Sequence, residues 1–248
     1  MKNAPPFFIG WAADPPGSGR RVLLRAGLAL AAGGAAGLAA VLARGNAELG
    51  ATRWEGEARS LRGLLVAAPY PALRTRDLGG TVRTVFLASE GKSAAAFPAA
   101  LVGQAIVATG SLIARGEHAM LAVAQLDAAR GLDDTGLQAP APVDEGEVLM
   151  AGEILDAKCW FGAMRPGFGK THKACAALCA RGGLPLAFCR SDACGAGLEA
   201  PLFVDATGSP HAPAILPWVA DPVVVRGRLV RVGDVVQLRA GLQQIRRL

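Results

Sequence analysis

The sequence predicts a mainly β protein behind a single N-terminal membrane helix, and three observations carry that expectation. An uncharged run of Ala, Gly, Leu and Val fills residues 26–43. Downstream, apolar runs separated by Gly turns repeat at an offset of 117 residues. All five Cys fall between Cys159 and Cys194, where one copy of the repeat is longer than the other.

Composition sets the outer limits. A chain of 248 residues allows one or two domains. With 52% hydrophobic residues and a net charge of +6, wholesale disorder is not expected. Gly is abundant but has no triplet period, which excludes collagen, and five Cys are too few for a disulfide-rich mini-scaffold. Arg far outnumbers Lys, as a base-composition bias alone would produce, so basicity is weak evidence for nucleic acid.

The apolar run is at the lower length limit for a membrane-spanning helix. Lys2, Arg20, Arg21 and Arg25 precede it and only Asp14 opposes them. The positive-inside rule then makes residues 1–21 a cytoplasmic tail and residues 22–44 the anchor, with everything after it outside the cytoplasm. Two other readings compete. Arg20-Arg21-Val22-Leu23-Leu24-Arg25 resembles a twin-arginine export signal, and Val41-Leu42-Ala43 suits signal peptidase, which would cleave the segment. A buried helix of a soluble protein is the third, and the lack of a polar face speaks against it. Pro5-Pro6-Phe7-Phe8-Ile9-Gly10-Trp11 lies about where an aromatic interfacial belt would sit. Both membrane readings expose the cysteines to an oxidising compartment.

The repeat sets the architecture. Residues 84–123 align without gaps on 201–240, with Phe86 on Phe203, Gly110 on Gly227, Gly116 on Gly233 and Leu121 on Leu238. Gly116 and Gly233 read as tight hairpin turns, and Gly110 and Gly227 as bulge or bend positions in the preceding strand. Connectors at 94–101 and 211–218 have room for about two helical turns. Earlier strands are expected at 61–68 and 148–158. One helical connector between the third and fourth strands is the order of a five-stranded Greek-key OB barrel. Two OB-like barrels are therefore expected at 54–126 and 148–248, joined by a Pro- and acid-rich linker at 127–147. A two-sheet sandwich is the alternative.

The second copy carries the surplus, residues 159–185, in a loop that such barrels use for ligands. His172, Cys175 and Cys179 share one face if 171–180 is helical, with Thr171 as N-cap and Gly182-Gly183 as the stop. Cys159 ends the strand that enters the loop, and Met164 adds a soft thioether. Three Cys and one His close a tetrahedral zinc site, while thiolate with thioether also suits copper(I). Disulfide bonding competes: Cys189 and Cys194 can close a local loop, and Cys159 can bridge to Cys175 or Cys179, leaving one thiol over. Catalytic thiol exchange is the third reading, with Lys158, Lys170, Lys173 and His172 as the groups that would lower a thiol pKa.

Lys158, Arg165, Lys170, Lys173, Arg181 and Arg190 lie between Asp156 and Asp192 with no acid among them. Of these, Lys158, Arg165, Lys170 and Lys173 are candidates for holding an anion or docking an acidic partner, and a solvated surface is the plainer reading. Gly167-Phe168-Gly169-Lys170-Thr171 imitates a phosphate loop, but Met164 stands where the first Gly is required. Ser89-x-x-Lys92 copies a serine-hydrolase fragment without its companion motifs. His118 and His211 are isolated, and Trp160 and Phe161 are expected to pack the insertion onto its barrel.

The block Gly152-Glu153-Ile154-x-Asp156-x-Lys158-Cys159-x-x-Gly162-x-Met164-x-Pro166-Gly167-x-Gly169-Lys170-x-His172-Lys173-x-Cys175-Ala176-x-x-Cys179-x-x-Gly182-Gly183-x-Pro185 resembles a family of bacterial membrane-anchored envelope proteins. They share a Phe-Ile-Gly-Trp/Tyr segment, matched here at Phe8 to Trp11, one membrane helix and this cysteine region. The resemblance implies layout and a bacterial inner-membrane location, single-pass with periplasmic domains, and it carries no activity. Cys189 and Cys194 depart from the shared block, as a separate local pair would. The expected function is that of an accessory or assembly protein of an envelope redox or respiratory complex, more a non-catalytic component than an enzyme. Cys159, His172, Cys175 and Cys179 would hold zinc or copper, or a structural disulfide. The alternative is a periplasmic thiol-disulfide or copper-handling protein using the same side chains. Nucleic-acid binding is disfavoured by the compartment and by the scarcity of aromatic stacking platforms.

Overall fold

The computed structural model describes residues 17–131 and 136–248. The expectations placed on Lys2, the Pro5–Trp11 segment and Asp14 lie outside the described residues. Helix α1 (Gly17–Ala51) opens the described chain, and within it Gly19–Ala40 is long and apolar enough to cross a membrane. Its residues 26–40 carry no charge, and Leu23, Leu28, Leu30 and Leu38 stand exposed on its surface. The chain divides into two units near the C-terminal end of this helix, one ending at Asn46 and the second, compact, spanning residues 47–248.

That second unit is built from strands. β1 (Thr52–Val66), β2 (Ala72–Arg76), β3 (Val82–Ser89), β4 (Ala105–Arg115) and β5 (His118–Ala128) close into a barrel in the order β1-β2-β3-β5-β4. The β3–β5 pair is parallel and the other four are antiparallel. Leu65, Leu73, Leu87, Ile106 and Leu121 alternate inward and fill its core.

A second set follows: β6 (Val143–Asp156), β7 (Leu186–Arg190), β8 (Leu202–Val204), β9 (Pro222–Val232), β10 (Val235–Arg239) and β11 (Ile245–Arg247). These strands run β10-β8-β7-β6-β9-β11, and β9 also pairs with β10, joining the ends of the run β10-β8-β7-β6-β9. Here too one pair, β8–β10, is parallel. Phe188, Phe203, Val223, Val225 and Leu238 form the core beneath it.

The hairpins repeat the sequence offset in their register. Leu112 faces Leu121 and Arg115 faces His118, while Leu229 faces Leu238 and Val232 faces Val235. Gly116 (φ 55°) and Gly233 (φ 63°) occupy the first turn position, where two-residue hairpins use glycine. The β4–β5 register shifts between Thr109 and Gly110, so a bulge sits at that glycine, where a Cβ would collide with the Ala122 carbonyl oxygen.

Three expectations are corrected. Residues 143–147, read as linker, are the start of β6, because Asp144, Glu145 and Glu147 pair with Arg228 and Arg231 across the ladder. The helical connectors shrink to 3₁₀ turns at Ala99–Leu101 and Pro213–Trp218, which their Pro residues favour. The insertion helix begins later than expected: a 3₁₀ turn at Lys170–His172 leads into α2 (Lys173–Arg181), and no side chain caps it, Thr171 included.

Candidate metal centre

β1 ends at Val66 and β2 begins at Ala72, but β6 ends at Asp156 and β7 begins only at Leu186. The insertion between β6 and β7 starts with a wide turn at Cys159–Ala163, whose Gly162 adopts φ 146°. Trp160 and Phe161 are buried there, but against the first barrel as well as their own sheet. Phe161 stacks on His118 of β5 at 5.4 Å, and Trp160 Nε1 donates to the Cys194 carbonyl at 3.0 Å. Gly167 crosses the turn so closely that a Cβ would lie 2.5 Å from the Cys159 carbonyl oxygen. The chain is thus folded back on itself, and α2 returns its sulfur atoms to Cys159.

Asp156 organises the site. It is fully buried at the end of β6, and its carboxylate accepts the Cys159 N–H at 2.8 Å and the His172 Nε2–H at 2.8 Å. His172 is 1% exposed, and its Nδ1 has no hydrogen-bond partner among the described residues. One imidazole nitrogen is therefore fixed by a carboxylate while the other offers a bare lone pair. That is how protein-bound metals orient their histidines.

The sulfurs complete the picture. One ligand atom from each of Cys159, His172 and Cys175 lies within 4.8 Å of the others, and Asp156, Cys159 and Cys179 form an overlapping group. Cys159 Sγ and Cys175 Sγ are 3.8 Å apart. Two thiolates on one zinc ion, with bonds of about 2.3 Å at the tetrahedral angle, would stand about 3.8 Å apart. Cys159, Cys175 and Cys179 are all free thiols, so the expected bridge from Cys159 to α2 is not formed. Cys189 and Cys194 do form a disulfide, with Cα atoms 5.2 Å apart.

Two lysines flank the sulfurs. Lys158 is buried, and its Nζ donates to the carbonyls of Ser89 (2.7 Å), Glu90 (2.9 Å) and Gly91 (2.7 Å) in the first barrel. Lys92, on the same loop, donates to Cys175 Sγ at 3.0 Å. Burial pushes the Lys158 pKa down, while the Cys175 sulfur raises that of Lys92. Cys159 and Cys179 share a hydrogen bond that lowers the Cys179 thiol pKa and raises that of Cys159, which burial raises further. Beside them opens a cleft of about 320 Å³, lined by Cys159, Cys179, Lys92, Lys158, Met164 and Trp54 among others.

The four basic candidates do not converge on an anion. Lys158 is committed to carbonyls, Arg165 Nη2 donates to Thr52 Oγ1 at 3.0 Å, and Lys173 pairs with Asp221 at 2.6 Å. Lys170 stands exposed on the 3₁₀ turn. Met164 is 43% exposed in the cleft wall rather than in the cluster. His211 is half-buried and stacks at 4.6 Å on Phe203, which belongs to the core of the second sheet.

Sequence reasoning missed Asp156 and Lys92. The first had a signal, since Asp-x-x-Cys at a strand end is the pattern of a side chain capping the next turn. Lys92 had none, because it reaches the cluster from the loop after β3 of the first barrel. No family model, curated protein or solved structure matches this chain.

Proposed function

We propose that this is a membrane-anchored accessory protein, with its folded part outside the cytoplasm, whose Cys/His cluster holds a thiophilic metal ion. The observation that carries it is the buried His172, fixed by Asp156 on one ring nitrogen and unpartnered on the other, beside Cys159 and Cys175. A structural disulfide would leave that lone pair unexplained. The helix at Gly19–Ala40, uncharged from residue 26 on, supports an inner-membrane anchor, and Arg20, Arg21 and Arg25 in its first turns support a cytoplasmic N-terminus. The Cys189–Cys194 disulfide suits a periplasmic location. The strand orders support reading both strand sets as OB-type barrels, each with its one parallel pair. A metal centre fastened in this way suits a component of an envelope redox or respiratory complex more than an enzyme.

A second reading has its own observation. Cys175 is half-exposed against Lys92, and the Cys179 thiol pKa is lowered, as thiol-disulfide exchange or copper transfer would use. One experiment separates the two. Full-length protein matured in a periplasm and purified in detergent should carry one metal ion per chain. Three thiols should then stay unreactive to a thiol reagent until a chelator is added. Metal-free protein with readily exchanging thiols would support the second reading instead.

A further inference from the structure

Three free thiols gathered together form an oxidation site as well as a ligand set, and these three do not stand equally. Cys159 is 4% exposed and Cys179 1%, whereas Cys175 is half-exposed on α2, where exposed Lys92 touches its Sγ. A small oxidant arriving from solvent meets Cys175 first, because access decides which thiol of a cluster is oxidised. Its two neighbours then differ as partners. Cys159 Sγ lies 3.8 Å away on a separate segment, the wide turn after β6, and has to close by about 1.8 Å to bond. Cys179 sits four residues further along the same helix, a placement that bridges only with distortion.

We infer that Cys175 is a site of oxidation by hydroperoxides, with Cys159 as the thiol that resolves it and Cys179 as a bystander. Cys175 Sγ attacks one oxygen of the hydroperoxide and the O–O bond breaks. The other oxygen leaves with the thiol proton, as an alcohol, or as water when the oxidant is hydrogen peroxide. Cys159 Sγ then attacks the sulfenic acid on Cys175; the S–S bond forms, the S–O bond breaks, and the hydroxyl departs as water with the Cys159 proton. Two electrons pass from the two thiols to one peroxide. A regulatory consequence rests on reading the cluster as a metal centre. Cys159, His172 and Cys175 each offer one ligand atom within 4.8 Å of the others, and the bridge removes two of these three. A closed structural site takes four ligands, so ion and bridge exclude each other. The ion shields the thiols, and the bridge locks the emptied site until a reductant reopens it.

Peptide mapping of the full-length protein in detergent, after a chelator has stripped it of metal, tests the inference. One equivalent of hydrogen peroxide should give a Cys159–Cys175 bridge and leave Cys179 open to alkylation. In Cys159→Ser the sulfenic acid should persist on Cys175, where dimedone captures it. Cys175→Ser, a change at a half-exposed position, should lose the reaction. A first bridge between Cys159 and Cys179, or peroxide consumed by Cys175→Ser at the unsubstituted protein's rate, would overturn the oxidation site. Zinc serves as the probe for the lock: bridged protein should take up none until a phosphine reductant is added, and undiminished uptake by bridged protein would overturn the exclusion. If the Cys159–Cys175 bridge forms in protein that binds no ion in either state, the oxidation site stands and the metal centre falls.

Discussion

The hairpins β4–β5 and β9–β10 have the same turn, the same register and opposite roles. At equivalent positions the first has Arg115 and Glu117, and the second has Val232 and Asp234. Arg115 is fully buried and lies over the Trp160 ring at 4.1 Å. Its guanidinium donates to the carbonyls of Trp160 (2.8 Å), Cys194 (3.1 Å), Gly195 (2.5 Å) and Gly197 (2.8 Å). Val232 is only half-buried. In the second hairpin the acid is the working residue. Asp234 accepts the Thr84 N–H and Oγ1–H, both at 2.6 Å, and sits 3.5 Å from the buried Arg74. Glu117, itself exposed, merely pairs with half-buried Arg83. Two hairpins of matching register thus carry different side chains, so that each strand set grips the other.

The largest expected effect breaks this asymmetry at its strongest point. Arg115→Ala should destabilise residues 47–248 by about 3 kcal/mol or more in chemical denaturation, because it removes a fully buried guanidinium and takes a donor from the Trp160, Gly195 and Gly197 carbonyls, of which that of Trp160 is buried. Val232→Ala, at the matching place, should cost about 1 kcal/mol. Equal losses would mean that the hairpins are interchangeable. Next comes the seam behind the cluster. A Cβ on Gly182 would collide with the Lys92 carbonyl oxygen, and Ala94 N donates to the Gly182 carbonyl at 2.9 Å. Gly182→Ala should therefore cost about 1–3 kcal/mol. It should also loosen Lys92 from Cys175, visible as faster reaction of Cys175 with a thiol reagent.

A smaller contrast lies in the acids. Asp234→Asn should cost about 1–2 kcal/mol, since buried Arg74 loses its carboxylate, whereas Glu117→Gln should stay under about 1 kcal/mol. The smallest effect concerns pH. Burial depresses the pKa of His118 in the first barrel and His211 in the second below the ordinary 6.5. The unfolded chain takes up these protons first, so stability should be intact above about pH 7 and fall as pH drops through the ordinary value towards the depressed ones. The slope should not exceed about 1.4 kcal/mol per pH unit for each histidine. His118→Gln and His211→Gln should each remove part of it in denaturation midpoints taken from pH 7.5 to 5.

Much of this frame was legible because backbone rules are local. Gly116 and Gly233 announced their turns, Gly110 its bulge, and the offset of 117 gave the hairpin register. The surplus after the first strand of the second copy was visible as length alone. Residues 143–147 were misjudged because acids and Gly resemble a linker until their Arg partners on β9 are known. The site was half legible. Cys159, His172, Cys175 and Cys179 share one short segment and Asp156 had its Asp-x-x-Cys spacing, but Lys92 acts through a contact from the first barrel, which no local pattern encodes. The basic residues misled for the same reason: Lys158 looked like surface charge and is a buried strut holding Ser89, Glu90 and Gly91.

The central claim is that three sulfurs and one imidazole meet on a single ion. X-ray absorption at the metal edge of the protein, purified in detergent without chelators, tests it directly. The account predicts three sulfur neighbours at about 2.3 Å and one nitrogen at about 2.0 Å. A shell of oxygen and nitrogen alone, or a Cys159–Cys175 disulfide in protein that binds no ion, would contradict it.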